Sequence, residues 1–266
     1  MSSKNSSFYL LSQYVKYRLR SNNGHGLHSP FIFNLYNEVF KDETTFYCFE
    51  KIEKLRNDLK LNFEEFDLED YGAGSRSIKG KSKRIADIAN SSLTKVKYAQ
   101  LLFRLLNYTQ SNKIVELGTS LGITTAYLAS VNKKSEVYTF EGDQSIAKVA
   151  SKNFEDLDLK NVTLKVGEFS KTLKSWLASI DFKLDFIFLD GNHRYQSTIE
   201  YFEMFLPYVH EGTLMVFDDI RWSKGMEKAW KELAARNEVG VSVDVFQFGI
   251  LFFKKNQEKE DFVLRY

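Results

Sequence analysis

The hydrophobic pattern of the chain changes near residue 90. Before that point, apolar and aromatic residues recur at helical spacing and predict amphipathic helices over 8–20, 31–40 and 46–61. A further helix, predicted over 93–108, leads into the second part. We therefore expect a helical N-terminal region, residues 1–90, that caps the substrate side, and a second domain over residues 91–266.

From residue 113 onward, short apolar runs alternate with helical patterns. The runs predict strands over 113–117, 136–140, 162–166, 185–190 and 213–218. Strands that alternate with helices are typical of a parallel sheet covered on both faces. The last two runs, Ser242 to Phe246 and Ile250 to Lys254, predict a hairpin. We expect an α/β fold whose mostly parallel, seven-stranded sheet has an antiparallel edge strand.

The first of these strands leads into a glycine-containing turn and a helix. Glu116 and Gly118 end the strand, Gly122 completes the turn, and a helical pattern follows. Glycines at such a turn let the backbone approach a ligand, and the helix N-terminus offers free N–H groups to an anion. A dinucleotide fingerprint has a second glycine two residues after the first, where this chain has Ser120. The sequence therefore disfavours a pyrophosphate ligand here.

Acidic residues follow several of the predicted strands. Glu141 ends the second strand, where a carboxylate can bind two ribose hydroxyls. This residue supports an adenosine-containing ligand without choosing between NAD and another cofactor, and its alternative role is to cap the next helix. The third strand ends at Gly167, Glu168 and Phe169, where adenine is expected. Phe169 could pack on the purine or belong to the core.

Three aspartates follow the fourth and fifth strands. Asp190 ends the fourth, and Asp218 and Asp219 end the fifth. Because parallel strands end at the same edge of a sheet, we expect these carboxylates to converge. A hard divalent cation such as Mg²⁺ would offset their repulsion. The alternative is that one aspartate caps a helix while another points to water.

Composition narrows the class of protein. The chain has 266 residues, a net charge of +2, 43% hydrophobic residues and a single cysteine, Cys48. Its charge requires neither nucleic acid nor a membrane as partner, and one cysteine allows no internal disulfide. The sequence shows no signal-peptide core and no apolar stretch of membrane-spanning length. We expect a cytoplasmic protein and a small-molecule substrate; a homodimer is one state that the sequence allows.

The turn and the acidic strand ends together resemble a known family. Glu116-Leu-Gly118-x-x-x-Gly122 resembles motif I of the class I S-adenosylmethionine (SAM) methyltransferases. Asp190 with the Asp218-Asp219 pair resembles the metal set of catechol-type and antibiotic-tailoring O-methyltransferases. The resemblance covers about residues 93 to 254 and implies a Rossmann-like methyltransferase fold with SAM as cofactor and Mg²⁺ as a metal.

The resemblance also implies roles for individual residues. Glu116 and Gly118 would line the methionine part of SAM, and Thr124 would bind its carboxylate. Glu141 would bind the ribose, and Glu168 with Phe169 the adenine. The whole cofactor-binding set that we expect is Glu116, Gly118, Thr119, Ser120, Gly122, Thr124, Glu141, Gly142, Gly167, Glu168, Phe169 and Asp190.

A histidine stands three residues after Asp190. His193 occupies a position where relatives carry a basic residue, and an imidazole can take a hydroxyl proton near neutral pH. We expect His193 and Asp190 to be catalytic. The alternative for His193 is a residue at a helix N-terminus bonded to backbone, and Asn192 departs from the acidic residue that some relatives have.

Other features leave alternatives open. His25 and His28 could be ligands, or part of a loop that precedes a helix starting at Pro30. The stretch 71–84 could be a solvated charged surface, or a loop that closes over substrate with Arg76 or Lys79. Trp222 could wall the substrate side, or serve as a core or dimer contact.

These observations favour a SAM-dependent O-methyltransferase of a small hydroxylated molecule, with His193 as base. A methyltransferase acting on protein or RNA is one alternative. An NAD-dependent oxidoreductase is another, disfavoured by the turn and the terminal hairpin. The last is a non-catalytic module that binds a partner.

Overall fold

The computed structural model describes residues 7–24, 28–67, 82–254 and 258–266. His25, Arg76, Lys79 and the Tyr71 to Ser75 segment, for which ligand or loop roles were predicted, lie outside these residues. Within the described part, the α-helices are α1 Ser7–Arg20, α2 Pro30–Leu35, α3 Phe49–Lys60, α4 Ile85–Ser92, α5 Val96–Thr109, α6 Ile123–Ser130, α7 Gln144–Asp156, α8 Phe169–Leu177, α9 Tyr195–Phe205 and α10 Lys224–Ala234. A π-helical turn, Tyr36–Phe40, continues α2, and a 3₁₀ turn, Leu206–Tyr208, follows α9.

The β-strands in the described residues are β1 Glu65–Asp67, β2 Ser82–Arg84, β3 Lys113–Leu117, β4 Glu136–Glu141, β5 Val162–Val166, β6 Phe186–Leu189, β7 Leu214–Phe217, β8 Val241–Asp244, β9 Gly249–Phe252 and β10 Glu260–Val263. The predicted helices and strands from 8–20 to the terminal hairpin are all present, with ends displaced by a few residues. The sequence did not predict α4, the β1–β2 pair or β10.

The chain divides into two compact units. One consists of Met1–Lys41 with Phe182–Tyr266, and the other of Asp42–Asp181. We call them the split unit and the continuous unit. The boundary expected near residue 90 stays a prediction.

The continuous unit contains three parallel strands, with β4 between β3 and β5. β3 is apolar and buried because helices cover it: the eight residues of α6 are all buried. The packed core beside α6 includes Phe49, Phe103 and Tyr127, whose rings meet at centroid distances of 5.1 to 5.2 Å. This packing fixes the turn between β3 and α6.

The split unit contains five strands in the order β10, β8, β9, β7, β6. β6 pairs in parallel with β7, and β10 with β8, while β9 runs antiparallel to both β7 and β8. The α/β fold with mostly parallel strands is confirmed, as is the antiparallel hairpin. The antiparallel strand β9 is not at an edge, however, because it pairs with β7 on one side and β8 on the other. Apart from the separate β1–β2 pair, the described residues contain three strands in the continuous unit and five in the split unit, eight rather than the predicted seven.

The N-terminal helix α1 belongs to the split unit and packs on its C-terminal part. Tyr17 Oη donates a hydrogen bond of 2.6 Å to the carbonyl of Leu264. Tyr9 Oη and Gln13 Nε2 both donate to the Glu227 carboxylate on α10. These bonds explain why a helix with exposed apolar residues such as Phe8 and Leu19 still takes a defined position.

Among the described residues, no helix is long and apolar enough to cross a membrane.

Candidate functional site

The turn after β3 is held against the end of β4. The backbone N–H groups of Gly118 and Thr119 donate to the carbonyl of Phe140, at 3.0 and 3.1 Å. The φ of Gly118 is 105°, in the left-handed region that favours glycine. The hydroxyls of Thr119 and Thr139 lie 2.6 Å apart. The turn is thus defined by backbone and buried side chains rather than by glycine freedom alone.

Gly122 serves a packing role that the sequence did not indicate. Its φ is 82°, and a Cβ there would lie 2.5 Å from a ring carbon of Phe154 on α7. Glycine therefore lets α7 pack closely against the turn. Its predicted role in letting the backbone approach a ligand stays a prediction.

Glu141 lies where β4 meets this turn. One carboxylate oxygen accepts from the N–H of Ser120 at 2.8 Å, and the other accepts from the N–H of Asp143 at 2.9 Å. Burial raises the pKa of Glu141. The side chain that caps α7 is Asp143, which accepts from the N–H groups of Ser145 and Ile146. The helix-capping alternative for Glu141 is therefore wrong.

Glu116 is fully buried beneath the turn. Its Oε2 accepts hydrogen bonds from the hydroxyls of Thr125 and Thr139, while Oε1 is buried with no partner among the described residues. Burial raises the pKa of Glu116 to about 7. The carboxyl group links α6 to β4, and its role toward the methionine part of SAM stays a prediction.

The remaining residues of the continuous unit that were predicted to bind the cofactor lie near these groups or make local contacts. Gly167, with φ 134°, donates its N–H to the Glu141 carbonyl at 2.9 Å. Gly142, which follows Glu141 in the sequence, is buried. Thr124 Oγ1 donates to Thr94 Oγ1 at 3.1 Å. Glu168 accepts from Ser170 Oγ and pairs with Lys171, which holds its pKa below the usual range.

Phe169 begins α8 and is half-buried. The structure therefore joins Ser120 and Gly167 to Glu141 through direct hydrogen bonds, while Gly118 and Thr119 bond to the neighbouring Phe140. The adenine roles of Glu168 and Phe169 stay predictions.

The acidic residues of the split unit also come together. Asp190 follows β6 and Asp218 follows β7; the N–H of Asp218 donates to the carbonyl of Leu189 at 2.9 Å. Asp218 and Asp190 are hydrogen-bonded through their side chains. Burial and the adjacent Asp219 carboxylate raise the pKa of Asp218 to about 7. The predicted convergence of the strand ends β6 and β7 is confirmed.

His193 lies beside this acidic group. Its Nε2 is 3.6 Å from Asp190 Oδ1, and its ring centroid is 6.0 Å from that of Trp222. Burial lowers the pKa of His193, and the charge of Asp219 partly opposes the shift. Asn192 has a φ of 56° and donates from Nδ2 to Ser197 Oγ, so it holds the turn that presents the histidine.

Two polar contacts at this edge were missed by sequence reasoning. Gln247 Nε2 donates to Asp218 Oδ1 at 3.1 Å, and the Gln247 carbonyl accepts from the N–H of Ile220. Arg221 makes a two-pronged ion pair with Asp244. Gln247 could have been suspected from its place in the predicted hairpin turn, whereas the Arg221 pair gives no local sequence pattern.

The three aspartates are chemically suited to Mg²⁺, which prefers carboxylate oxygens. Within the described ranges, however, no group of three or more histidine, cysteine, aspartate or glutamate side chains is arranged to hold a metal ion. Asp218 Oδ1 already accepts from Gln247 and from the N–H of Asp219. As arranged, these residues do not fit a metal ion, and the metal roles of Asp190, Asp218 and Asp219 stay a prediction.

Solved structures share this fold. The O-methyltransferase TomG from Streptomyces achromogenes, solved with SAM, aligns with a TM-score of 0.52 and 21% identity, covering 61% of this chain and 82% of that chain. The O-methyltransferase from Bacillus cereus, solved with S-adenosylhomocysteine (SAH), aligns with a TM-score of 0.57 and 17% identity, covering 81% of this chain and 95% of that chain. At these identities the likeness shows a Rossmann-like methyltransferase fold.

Part of the chain also matches known methyltransferases in sequence. Residues 115–220 match the family model described as a methyltransferase domain, which confirms the resemblance to class I methyltransferases. A protein-L-isoaspartate O-methyltransferase from Petrotoga mobilis is 37% identical over 71 residues, which cover 27% of this chain and 32% of that protein. The match thus spans about a third of the length of that curated relative.

Proposed function

We propose that the protein is a SAM-dependent O-methyltransferase of a small hydroxylated molecule. The observation that carries the proposal is Glu141, whose carboxylate ends β4 beside the turn that resembles motif I. The carboxylate accepts hydrogen bonds from the backbone N–H groups of Ser120, Gly142 and Asp143. An ionised carboxylate can accept about four hydrogen bonds, so it keeps capacity to accept from a ribose hydroxyl of the cofactor.

Cofactor binding is assigned to the continuous unit. Glu141 would hold the ribose, and the turn from Gly118 to Gly122 would hold the methionine part. SAM supplies an electrophilic methyl group on a sulfonium sulfur and leaves as SAH. The residues of this chain bind and orient it, which lowers the barrier by positioning.

Acceptor activation is assigned to His193 in the split unit. A neutral imidazole can accept the hydroxyl proton as the acceptor oxygen bonds to the methyl carbon and the carbon–sulfur electron pair passes to sulfur. Asp190 Oδ1, 3.6 Å from His193 Nε2, would stabilise the imidazolium that forms through its charge. The Trp222 ring lies near the imidazole, with the ring centroids 6.0 Å apart.

The proposal is tested by following transfer of labelled methyl from SAM to a panel of small hydroxylated arenes. We expect His193→Gln to lower kcat by about 100-fold or more, the usual contribution of a general base, while SAH binding is retained. His210→Gln is the matched control, because His210 pairs with Asp185 at the opposite end of β6. Equal kcat for wild type and His193→Gln would contradict the assignment.

Metal dependence is tested in the same assay. If a metal is required, we expect activity to fall in EDTA and to return with added Mg²⁺. Full activity in EDTA would contradict the predicted metal dependence. Cytoplasmic location is a proposal that rests on the single cysteine, and a homodimer stays a prediction.

A protein acceptor is a second candidate function. The Petrotoga mobilis relative is named for methylation of a protein residue, and its match supports this alternative. Label that enters polypeptide but no small hydroxylated molecule would favour it.

A further inference from the structure

A cavity of about 220 Å³ lies within the split unit, between α1, α10 and the ends of the strands. Asp244 ends β8 and Val263 ends β10, and both line it together with Ile220 and Arg221. β8 and β10 run in the same direction as β7, since β9 is antiparallel to both β7 and β8. The cavity is therefore at the edge of the sheet that carries Asp218, the edge at which open α/β folds bind ligands.

The cavity carries uncompensated positive charge. Four cationic side chains line it, against two carboxylates, Glu227 and Asp244. Asp244 is held by both terminal nitrogens of Arg221, and Glu227 pairs with Lys231 at 2.6 Å while accepting from Tyr9 and Gln13.

The two remaining cations are Lys16 and Arg20 of α1. Spaced four residues apart, they share one face of the helix, and both side chains are exposed. The side chains of Lys16 and Arg20 make no hydrogen bond or ion pair with any residue in the described ranges. These two charges are available to a ligand.

The size and walls of the cavity indicate what part of a ligand it holds. Complete small-molecule sites usually measure about 300–1,000 Å³, so this cavity suits one end of a molecule. Tyr17 and Trp230 provide aromatic surface. One strand separates β7 from β8, which places the cavity on the order of 10 Å from the Asp218 end of β7.

We propose that this cavity binds a carboxylate or phosphate group of the methyl acceptor, through Lys16 and Arg20. The inference rests on the proposed function and narrows its substrate class to anionic hydroxylated molecules, with the anion about three strand spacings, on the order of 15 Å, from the end of β6 that precedes His193. Arg221 and Lys231 line the cavity but are not assigned to the anion, because each is already paired with a carboxylate.

The test is calorimetric titration with benzoate, phenyl phosphate and the neutral analogue benzamide, in the presence of SAH. The wild type is compared with Lys16→Gln/Arg20→Gln. The matched control is Lys148→Gln/Lys152→Gln, which removes two exposed lysines at the same spacing from α7. We expect one anion at least to bind wild type and control about tenfold or more tighter than benzamide, and the Lys16/Arg20 variant to lose that preference. The tighter anion identifies carboxylate or phosphate chemistry.

Three outcomes would overturn the inference. The anions and benzamide bind equally well, the Lys16/Arg20 variant keeps the preference for anions, or neither anion binds at millimolar concentration. SAH affinity, measured on the same samples, separates the two claims. Retained SAH binding with failed anion binding removes only the anion site, whereas loss of SAH binding in the wild type removes the proposed function. Thermal unfolding verifies that the double variants remain folded.

Discussion

The carboxylate of Glu141 accepts a hydrogen bond of 2.8 Å from the backbone N–H of Ser120. This bond joins the end of β4 to the turn after β3. Ser120 has a φ of 49°, so the turn holds a non-glycine residue in the left-handed region. The two sequence features that suggested a nucleoside-containing ligand are thus parts of one structure.

Gly122→Ala should destabilise the protein. The new Cβ would lie 2.5 Å from the Phe154 ring, and alanine disfavours the φ of 82°. We expect the free energy of unfolding in urea to fall by about 2 kcal/mol or more. Gly225→Ala is the control, because its Cβ would meet no atom closer than 3.5 Å. Equal losses in the two variants would show that the contact with Phe154 is not the cause.

Glu116 should make stability depend on pH. Its pKa is about 7 in the folded protein against 4.5 for the free group, so the carboxyl stays protonated up to a higher pH in the folded state. The stability that Glu116 contributes by binding its proton more tightly in the folded state is fully present below about pH 4.5. It is lost as the pH rises toward 7, and the free energy of unfolding falls by about 3 kcal/mol. Glu116→Gln should remove that decline.

The measurement is urea unfolding at several pH values between 5 and 7. The difference between wild type and Glu116→Gln isolates this group from others that titrate, such as Asp218. Glu155→Gln, on the exposed face of α7, is the control and should follow the wild type. A parallel pH dependence for wild type and Glu116→Gln would disprove the assignment.

Much of the fold followed from local pattern. The buried strands β3, β6 and β7 are short apolar runs, and the residue after each run marks the strand end. Because parallel strands end at one edge, the meeting of Asp190 with Asp218 could be expected before the structure. β10 was missed because it is only partly buried and lacks a continuous apolar run.

Other features depend on contacts between residues distant in sequence. The packing of Gly122 on Phe154 spans 32 positions, and Arg221 meets Asp244 across the β8–β9 hairpin. No local pattern encodes such pairs, because the side chains meet only after the strands have paired. The same reason hid the cavity beside Lys16 and Arg20, whose spacing alone predicts only a solvated helix face.

The most direct test of the account is calorimetric titration of the protein with SAH, on wild type, Glu141→Ala and the control Glu155→Ala. We expect micromolar binding to the wild type and the control, and binding weaker by about 10- to 100-fold for Glu141→Ala, as loss of hydrogen bonds to a charged group implies. Absence of SAH binding to the wild type, or equal affinity in Glu141→Ala, would contradict the assignment of the cofactor site.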